Sequence, residues 1–255
     1  MNIAVITGAS SGMGREFARQ IKKLGSFDEI WAIARRTERL NALASELDTP
    51  VRPITLDLTL RESIEAYSAL LSQIKPKVSV LVNASGFGYF KAFTEGSLPG
   101  YYDMILLNDS AVVGMTYATL PYMGSGGRIF NICSVAAFQP LPYISIYGAT
   151  KAFALSFTRA INVELKQRGI KALAVCPYWT KTEFFDTAKT DDTISYYQCY
   201  TEAKDVVSLA IKDMGKKRKD VSICGGTAKL NAFLAKLLPH KLVMRVWCRQ
   251  QNKPV

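Results

Sequence analysis

Seven short apolar runs punctuate this chain, at residues 3–6, 29–34, 51–56, 78–82, 128–133, 171–175 and 221–224. Stretches with helical periodicity fill the gaps between them: 12–24, 37–47, 60–74, a pair across 98–122, 147–168 and 202–214. Strand and helix in alternation give a parallel sheet whose crossover helices cover both faces. Taken together the runs read as continuous apolar stretches, as strands buried on both sides do. The expected fold is therefore α/β, a doubly wound parallel sheet of about seven strands with helices on both faces. At 255 residues and 49% hydrophobic content, the chain can bury the core of one large domain. Residues 1–225 form the expected core unit, and 226–255 extend it with helices.

The first run leads directly into Thr7-Gly8-Ala9-Ser10-Ser11-Gly12-Met13-Gly14, and a helix follows. Gly8 permits a tight turn out of the strand. Gly12 lets backbone approach a pyrophosphate, and Gly14 lets the helix pack closely on the sheet. Free amides at the helix start then attract phosphate oxygens. A turn of this type between strand and helix points to a dinucleotide site in a Rossmann-type fold. At the end of the second run stand Arg35 and Arg36, with no Asp or Glu there. An acidic residue at this place suits the ribose 2′-hydroxyl of NAD, whereas arginine suits a 2′-phosphate. The expected cofactor is NADP(H).

Tyr147 and Lys151 are four residues apart in a helical stretch, so they share a face. A nearby ammonium lowers a phenol pKa, and a proton donor works best with a pKa near the operating pH. Ser134, just after the fifth run, would hold an oxygen on which charge develops. One histidine, His240, and cysteines 133, 176, 199, 224 and 248 without Cys-x-x-Cys spacing argue against catalytic zinc. The scattered cysteines read as buried thiols of a reducing cytoplasm. No apolar run is long enough to cross a bilayer, and the start has no basic segment of a signal peptide.

These motifs, in this order, resemble the short-chain dehydrogenases/reductases over nearly the whole chain. The resemblance assigns Thr7-Gly8-x-x-x-Gly12-x-Gly14 to the cofactor turn and Asp57-Leu58 to the adenine contact. Asn83-Ala84-Ser85-Gly86 is similar to the family's Asn-Asn-Ala-Gly segment, with Ala84 and Ser85 in place of Asn-Ala. Asn108 matches the asparagine of the central helix, and Ser134, Tyr147 and Lys151 match the catalytic residues. Pro177-Tyr178-Trp179-Thr180-Lys181-Thr182 resembles the segment that holds the nicotinamide carboxamide, with Tyr178 where the family has glycine. The implied roles follow. Ser134 binds the carbonyl oxygen, and Tyr147 gives or takes the proton. Lys151 tunes Tyr147 and holds the nicotinamide ribose, and Asn108 anchors a relay water. Thr180 and Thr182 orient the nicotinamide. The resemblance also implies a homodimer or homotetramer.

Substrate contacts are expected from loops 86–97, 135–146 and 178–200. These carry Phe87, Tyr89, Phe90, Phe138, Leu141, Tyr143, Ile144, Trp179, Phe184, Phe185, Tyr196, Tyr197 and Tyr200. Such a lining suits a bulky apolar ketone or secondary alcohol, such as a hydroxysteroid, although some of these rings can simply pack the loops. A 3-oxoacyl thioester is the alternative substrate. A catalytically silent NADP-binding sensor or scaffold is the alternative of another class. Relatives of that kind usually lose the tyrosine or lysine, and both stand here.

The net charge of +11 is concentrated at the end. Residues 212–255 hold eleven Lys and Arg against Asp213 and Asp220. Leu230, Phe233, Leu234, Leu237 and Leu238 fall on one helical face. After Pro239, Leu242, Val243, Val246 and Trp247 face one way and Lys241, Arg245 and Arg249 another. Such a tail can cap the pocket, join subunits or rest peripherally on an anionic membrane. No nucleic-acid motif accompanies the charge.

Overall fold

The computed structural model describes residues 1–188, 191–197 and 200–254. Of the cysteines, Cys199 lies outside the described residues. Seven strands form one sheet in the order β3-β2-β1-β4-β5-β6-β9, every pair parallel. They are β1 (Asn2–Thr7), β2 (Glu29–Ala34), β3 (Val51–Thr55), β4 (Lys77–Asn83), β5 (Arg128–Ile132), β6 (Lys171–Cys176) and β9 (Val221–Ile223). The expected runs and the observed strands agree to within one residue at each end. Two short strands, β7 (Thr180–Lys181) and β8 (Thr201–Glu202), pair separately. The sequence had not suggested them, because two residues carry no periodicity.

Alternate residues of each strand feed opposite cores, as a period of two requires. Ala4 and Ile6 of β1 pack with Phe17, Leu40 and Val207 on one face. Ile3 and Val5 pack with Tyr67, Leu71 and Met115 on the other. The helices supplying the first face are α1 (Gly12–Gln20), α2 (Thr37–Glu46) and α8 (Ala203–Met214). The second face takes α3 (Arg61–Ile74), part of α5 (Ala111–Thr119) and the end of α6 (Ser145–Glu164).

The pair of helices expected across 98–122 is one nearly continuous helix. The segment α4 (Leu98–Ile105) runs through a π turn at Leu106–Ser110 into α5. The polar run Asn108-Asp109-Ser110 marks the place but gives no break, since every residue keeps helical backbone. Downstream come α7 (Phe184–Ala188), α9 (Gly226–Leu237) and α10 (His240–Gln250). Among the described residues, no helix is long and apolar enough to cross a membrane.

The strand order reverses between β1 and β4. A crevice opens at their carboxyl ends, where doubly wound sheets bind ligands.

Candidate active site

A cavity of about 680 Å³ occupies this crevice. Its floor is the glycine turn. Gly8 and Gly12 have φ of +66° and +53°, a conformation that side chains rarely adopt. A Cβ on Gly8 would meet the Ala84 backbone at 2.7 Å, and one on Gly14 would meet the Gly8 carbonyl oxygen at 2.3 Å. Gly12 differs, for a Cβ there meets only Thr182, at 3.5 Å, so its open side belongs to the cavity. Ser11 precedes α1 without a side-chain cap, which leaves the first amides of the helix for an anion. This cradle fits a pyrophosphate.

Thr7 locks the floor to the next strand. Its hydroxyl oxygen accepts from the amides of Ala84 and Ser85, at 3.0 Å each. Replacement of the family's Asn-Ala by Ala84-Ser85 therefore leaves these backbone bonds intact. Asn83 donates to Asn131 at 2.8 Å and to Thr116 at 3.1 Å. Asn131 in turn donates to Thr158 at 2.9 Å, so a buried polar chain underlies the wall. Thr7, Gly14, Asn83 and Asn108 stand behind the lining. The other expected cofactor residues, Ser10, Ser11, Met13, Arg35, Arg36, Asp57, Leu58, Ala84, Ser85, Pro177, Thr180 and Thr182, line the cavity with Gly8 and Gly12.

Arg35 is exposed and lies 3.8 Å from the Asp57 carboxylate. Arg36 donates to Ser11 at 2.7 Å, to Ser10 at 3.0 Å and to Glu183 at 2.9 Å. Glu183 also accepts from Arg39. Glu183 thus clasps the turn after β7 to the start of α2, across the mouth of the crevice. Nothing in the sequence beyond its place next to Thr182 marks it for this contact.

Ser134, Tyr147 and Lys151 converge on the cavity. Ser134 follows β5, with its hydroxyl accepting from the Ala136 amide at 3.1 Å. Tyr147 and Lys151 lie on α6, both buried. Lys151 donates to the Ile132 carbonyl at 3.1 Å, and its Nζ is 5.9 Å from the centre of the Tyr147 ring. Burial pushes Tyr147 up to about 12, while a hydrogen bond with Ser134 pulls it down. Burial also lowers the Lys151 pKa. The expected lowering of Tyr147 by Lys151 is not seen here: desolvation is the largest influence, the opposing pull comes from Ser134, and the Lys151 ammonium is turned towards a backbone carbonyl.

Asn108 sits in the π turn. Its Oδ1 accepts from the Phe87 amide at 3.1 Å, and its Nδ2 donates to the Phe87 carbonyl at 2.9 Å and to Thr150 at 3.1 Å. Beside it, Asp109 is pushed up to about 7, by burial against a smaller opposing pull from Lys151.

The residues expected to contact substrate fall into three groups. Phe87, Leu141, Ile144, Trp179, Phe184 and Phe185 line the cavity. Tyr89, Phe90, Tyr143 and Tyr197 belong to the packing cluster around them, and Phe138 packs in a neighbouring cluster. Phe90 holds the Tyr147 and Phe184 rings at 5.4 and 6.0 Å. Tyr196 and Tyr200 are largely exposed. Tyr178 lines the cavity, and its hydroxyl accepts from Asn231 of α9 at 3.4 Å.

The C-terminal extension closes this half. Trp247 is buried and donates to the Pro142 carbonyl at 2.9 Å, so on α10 it turns towards the substrate loop, while Leu242 and Val246 are exposed. The Gln251 side chain accepts from the Ser195 and Tyr196 amides at 3.1 and 3.0 Å. Tyr143, at φ of +71°, is tied by its hydroxyl to the Pro254 carbonyl at 3.0 Å. The tail thus holds a strained residue of the substrate loop.

A phosphate cradle at the switch point and a Ser–Tyr–Lys cluster at its inner end define a dinucleotide-dependent oxidoreductase of Rossmann type. The sequence model for short chain dehydrogenases matches residues 2–193. The chain belongs to that family, and is an oxidoreductase acting between alcohol and carbonyl groups with a nicotinamide cofactor. It is 35% identical to sulfoacetaldehyde reductase 2 of Chromohalobacter salexigens, over 72% of this chain and 74% of that one. A short-chain dehydrogenase from Sphingobium yanoikuyae, solved with NADPH, superposes with a TM-score of 0.79 at 30% identity. That match covers 91% of this chain and 92% of the other. The bulky-bulky ketone specific alcohol dehydrogenase of Comamonas testosteroni gives a TM-score of 0.73 at 26% identity, covering 93% and 92%.

Proposed function

We propose that the protein interconverts a bulky apolar ketone and its secondary alcohol with NADP(H), a hydroxysteroid or similar lipid being the substrate class. The observation that carries this reading is the character of the inner cavity. Trp179, Phe184, Phe185, Leu141 and Ile144 converge on Tyr147, and Leu234 and Leu238 of the extension complete the wall. The charged lining residues are Arg35, Arg36, Asp57, Asp103, Lys151 and Glu183. The aromatic loops 135–146 and 178–182 and the C-terminal helices thus contribute no cation to the cavity, which disfavours a small sulfonate like that in the name of the Chromohalobacter relative. The Comamonas enzyme, named for bulky ketones, supports the same direction. A 3-oxoacyl thioester remains the second reading, because Leu234, Leu238 and Val246 form an exposed apolar rim along which a chain longer than the cavity can run.

Arg35 and Arg36 support the choice of NADP(H), since both line the end of the cavity remote from Tyr147 and can reach a 2′-phosphate. A bound NADPH supplies hydride to the carbonyl carbon. Ser134 donates a hydrogen bond to the carbonyl oxygen, and Tyr147 delivers its proton to that oxygen as the alcohol forms. Lys151 holds the ribose and passes a replacement proton towards Tyr147, and Asn108 fixes the Phe87 loop that faces them. Pro177, Thr180 and Thr182, which line the cavity, would frame the nicotinamide. The site residues come from every part of the chain between β1 and α10, and we read residues 226–255 as an extension of one catalytic domain. The described cysteines are free thiols, which supports a reducing cytoplasm. An NADPH-consumption screen over ketosteroids, 3-oxoacyl thioesters and small ketones tests the reading. Turnover is expected with bulky ketones and NADPH; equal rates with NADH, or activity on small ketones alone, would overturn it.

A further inference from the structure

The extension carries an apolar face that none of the described residues covers. The helix α9 turns Ala228, Ala232 and Ala235 inward, towards the short turn at Val135–Phe138. Its large residues point out, with Leu230, Phe233 and Leu237 exposed by 55%, 58% and 65%. On α10, Leu242 and Val246 are also exposed. This inverts the usual orientation of a surface helix, whose bulky face is the buried one.

The charge of the extension is one-sided. After Asp220 the chain has no carboxylate side chain, but it has Lys229, Lys236, Lys241, Arg245, Arg249 and Lys253; of these, Lys236 and Lys253 lie over the Phe138 and Tyr143 rings, and Lys229, Lys241, Arg245 and Arg249 are exposed. We propose that this face of α9 and α10 docks on an anionic lipid surface, with the leucines and Phe233 in the acyl boundary and the cations among the phosphates. A second copy of the chain is a poorer occupant. A two-fold contact sets a patch against itself, and this one would oppose cations to cations with no acidic partner from the extension. Leu234, Leu238 and Val246 are both exposed and part of the cavity wall. Docking therefore opens the cavity towards the acyl region, from which an apolar substrate can enter. That last step rests on the proposed substrate class; the docking does not.

The test is co-sedimentation of the full-length protein with vesicles of phosphatidylcholine and phosphatidylserine, and with phosphatidylcholine alone. Binding is expected with the anionic vesicles and should weaken as salt rises. The double variants F233E/L237E and K241Q/R245Q should each lower it by about tenfold, with NADPH binding and melting temperature unchanged. Because vesicle binding is read without turnover, a failure of the substrate assignment leaves this result standing. No binding to anionic vesicles at low salt would overturn the proposal, as would equal binding to neutral ones. So would a F233E/L237E variant that keeps vesicle binding and instead loses mass by light scattering, which would assign the face to a second copy.

Discussion

Tyr147 stands between two opposing influences. Burial holds its pKa at about 12, so at neutral pH it is a phenol ready to donate. That protonation state suits carbonyl reduction. Asp109, which feels the Lys151 charge, is the complementary case of a half-buried acid. Its pKa rises from about 4 when unfolded to about 7 when folded. A raised carboxyl pKa gives stability that is full below about pH 4 and lost as pH climbs through about 7. Asp109→Asn should therefore leave acid stability unchanged and add about 1 kcal/mol at alkaline pH, a modest value because the group is only half-buried. Urea unfolding at both pH values checks this, and an equal shift at each would contradict the burial argument. That Ser134, Tyr147 and Lys151 share a crevice with the glycine turn was legible in the sequence, because the proposed chemistry depends on residue type and short spacing. The Tyr147 pKa was not, because it depends on which way Lys151 turns and how dry the site is.

At the scale of elements, strand positions were legible from apolar runs, whereas the join between α4 and α5 was not. A π turn keeps helical backbone through Asn108-Asp109-Ser110, and polar residues there look like a break. The clasp at Glu183 was equally hidden, since it joins residues separated by more than a hundred positions. It bridges the turn before α7 to Arg36 and Arg39 at the start of α2. These pairs are half exposed, so each is worth no more than about 1 kcal/mol. Their carboxylate nonetheless occupies the arginine that a 2′-phosphate needs. Glu183→Gln should tighten NADPH binding about threefold, in keeping with the modest value of one exposed pair, and leave NADH binding unchanged. Fluorescence titration with both cofactors measures it. Weaker binding of both would show that the clasp holds the crevice closed and does not compete for the phosphate.

At the scale of the whole molecule, two exposed apolar faces stand out among the described residues. One is the basic face of α9 and α10. The other runs along α4 and α5, where Tyr102, Ile105, Val113 and Tyr117 are exposed, Tyr117 by 79%. This second stripe lacks the one-sided charge and is the natural seam for the homodimer or homotetramer proposed for the family likeness. Tyr117→Glu should lower the mass measured by light scattering to that of a smaller assembly; an unchanged mass would move the seam elsewhere. The tail's helices could be read from spacing, but their orientation could not, because alanine and leucine stripes both count as apolar until packing selects one. The central claim is that Ser134, Tyr147 and Lys151 reduce a carbonyl with NADPH in this crevice. Its most direct test is NADPH consumption with a bulky ketosteroid by wild type and Tyr147→Phe, with NADPH binding titrated in parallel. Turnover should fall by about a thousandfold while NADPH binds as before; a variant that turns over within a few-fold of wild type would contradict the account.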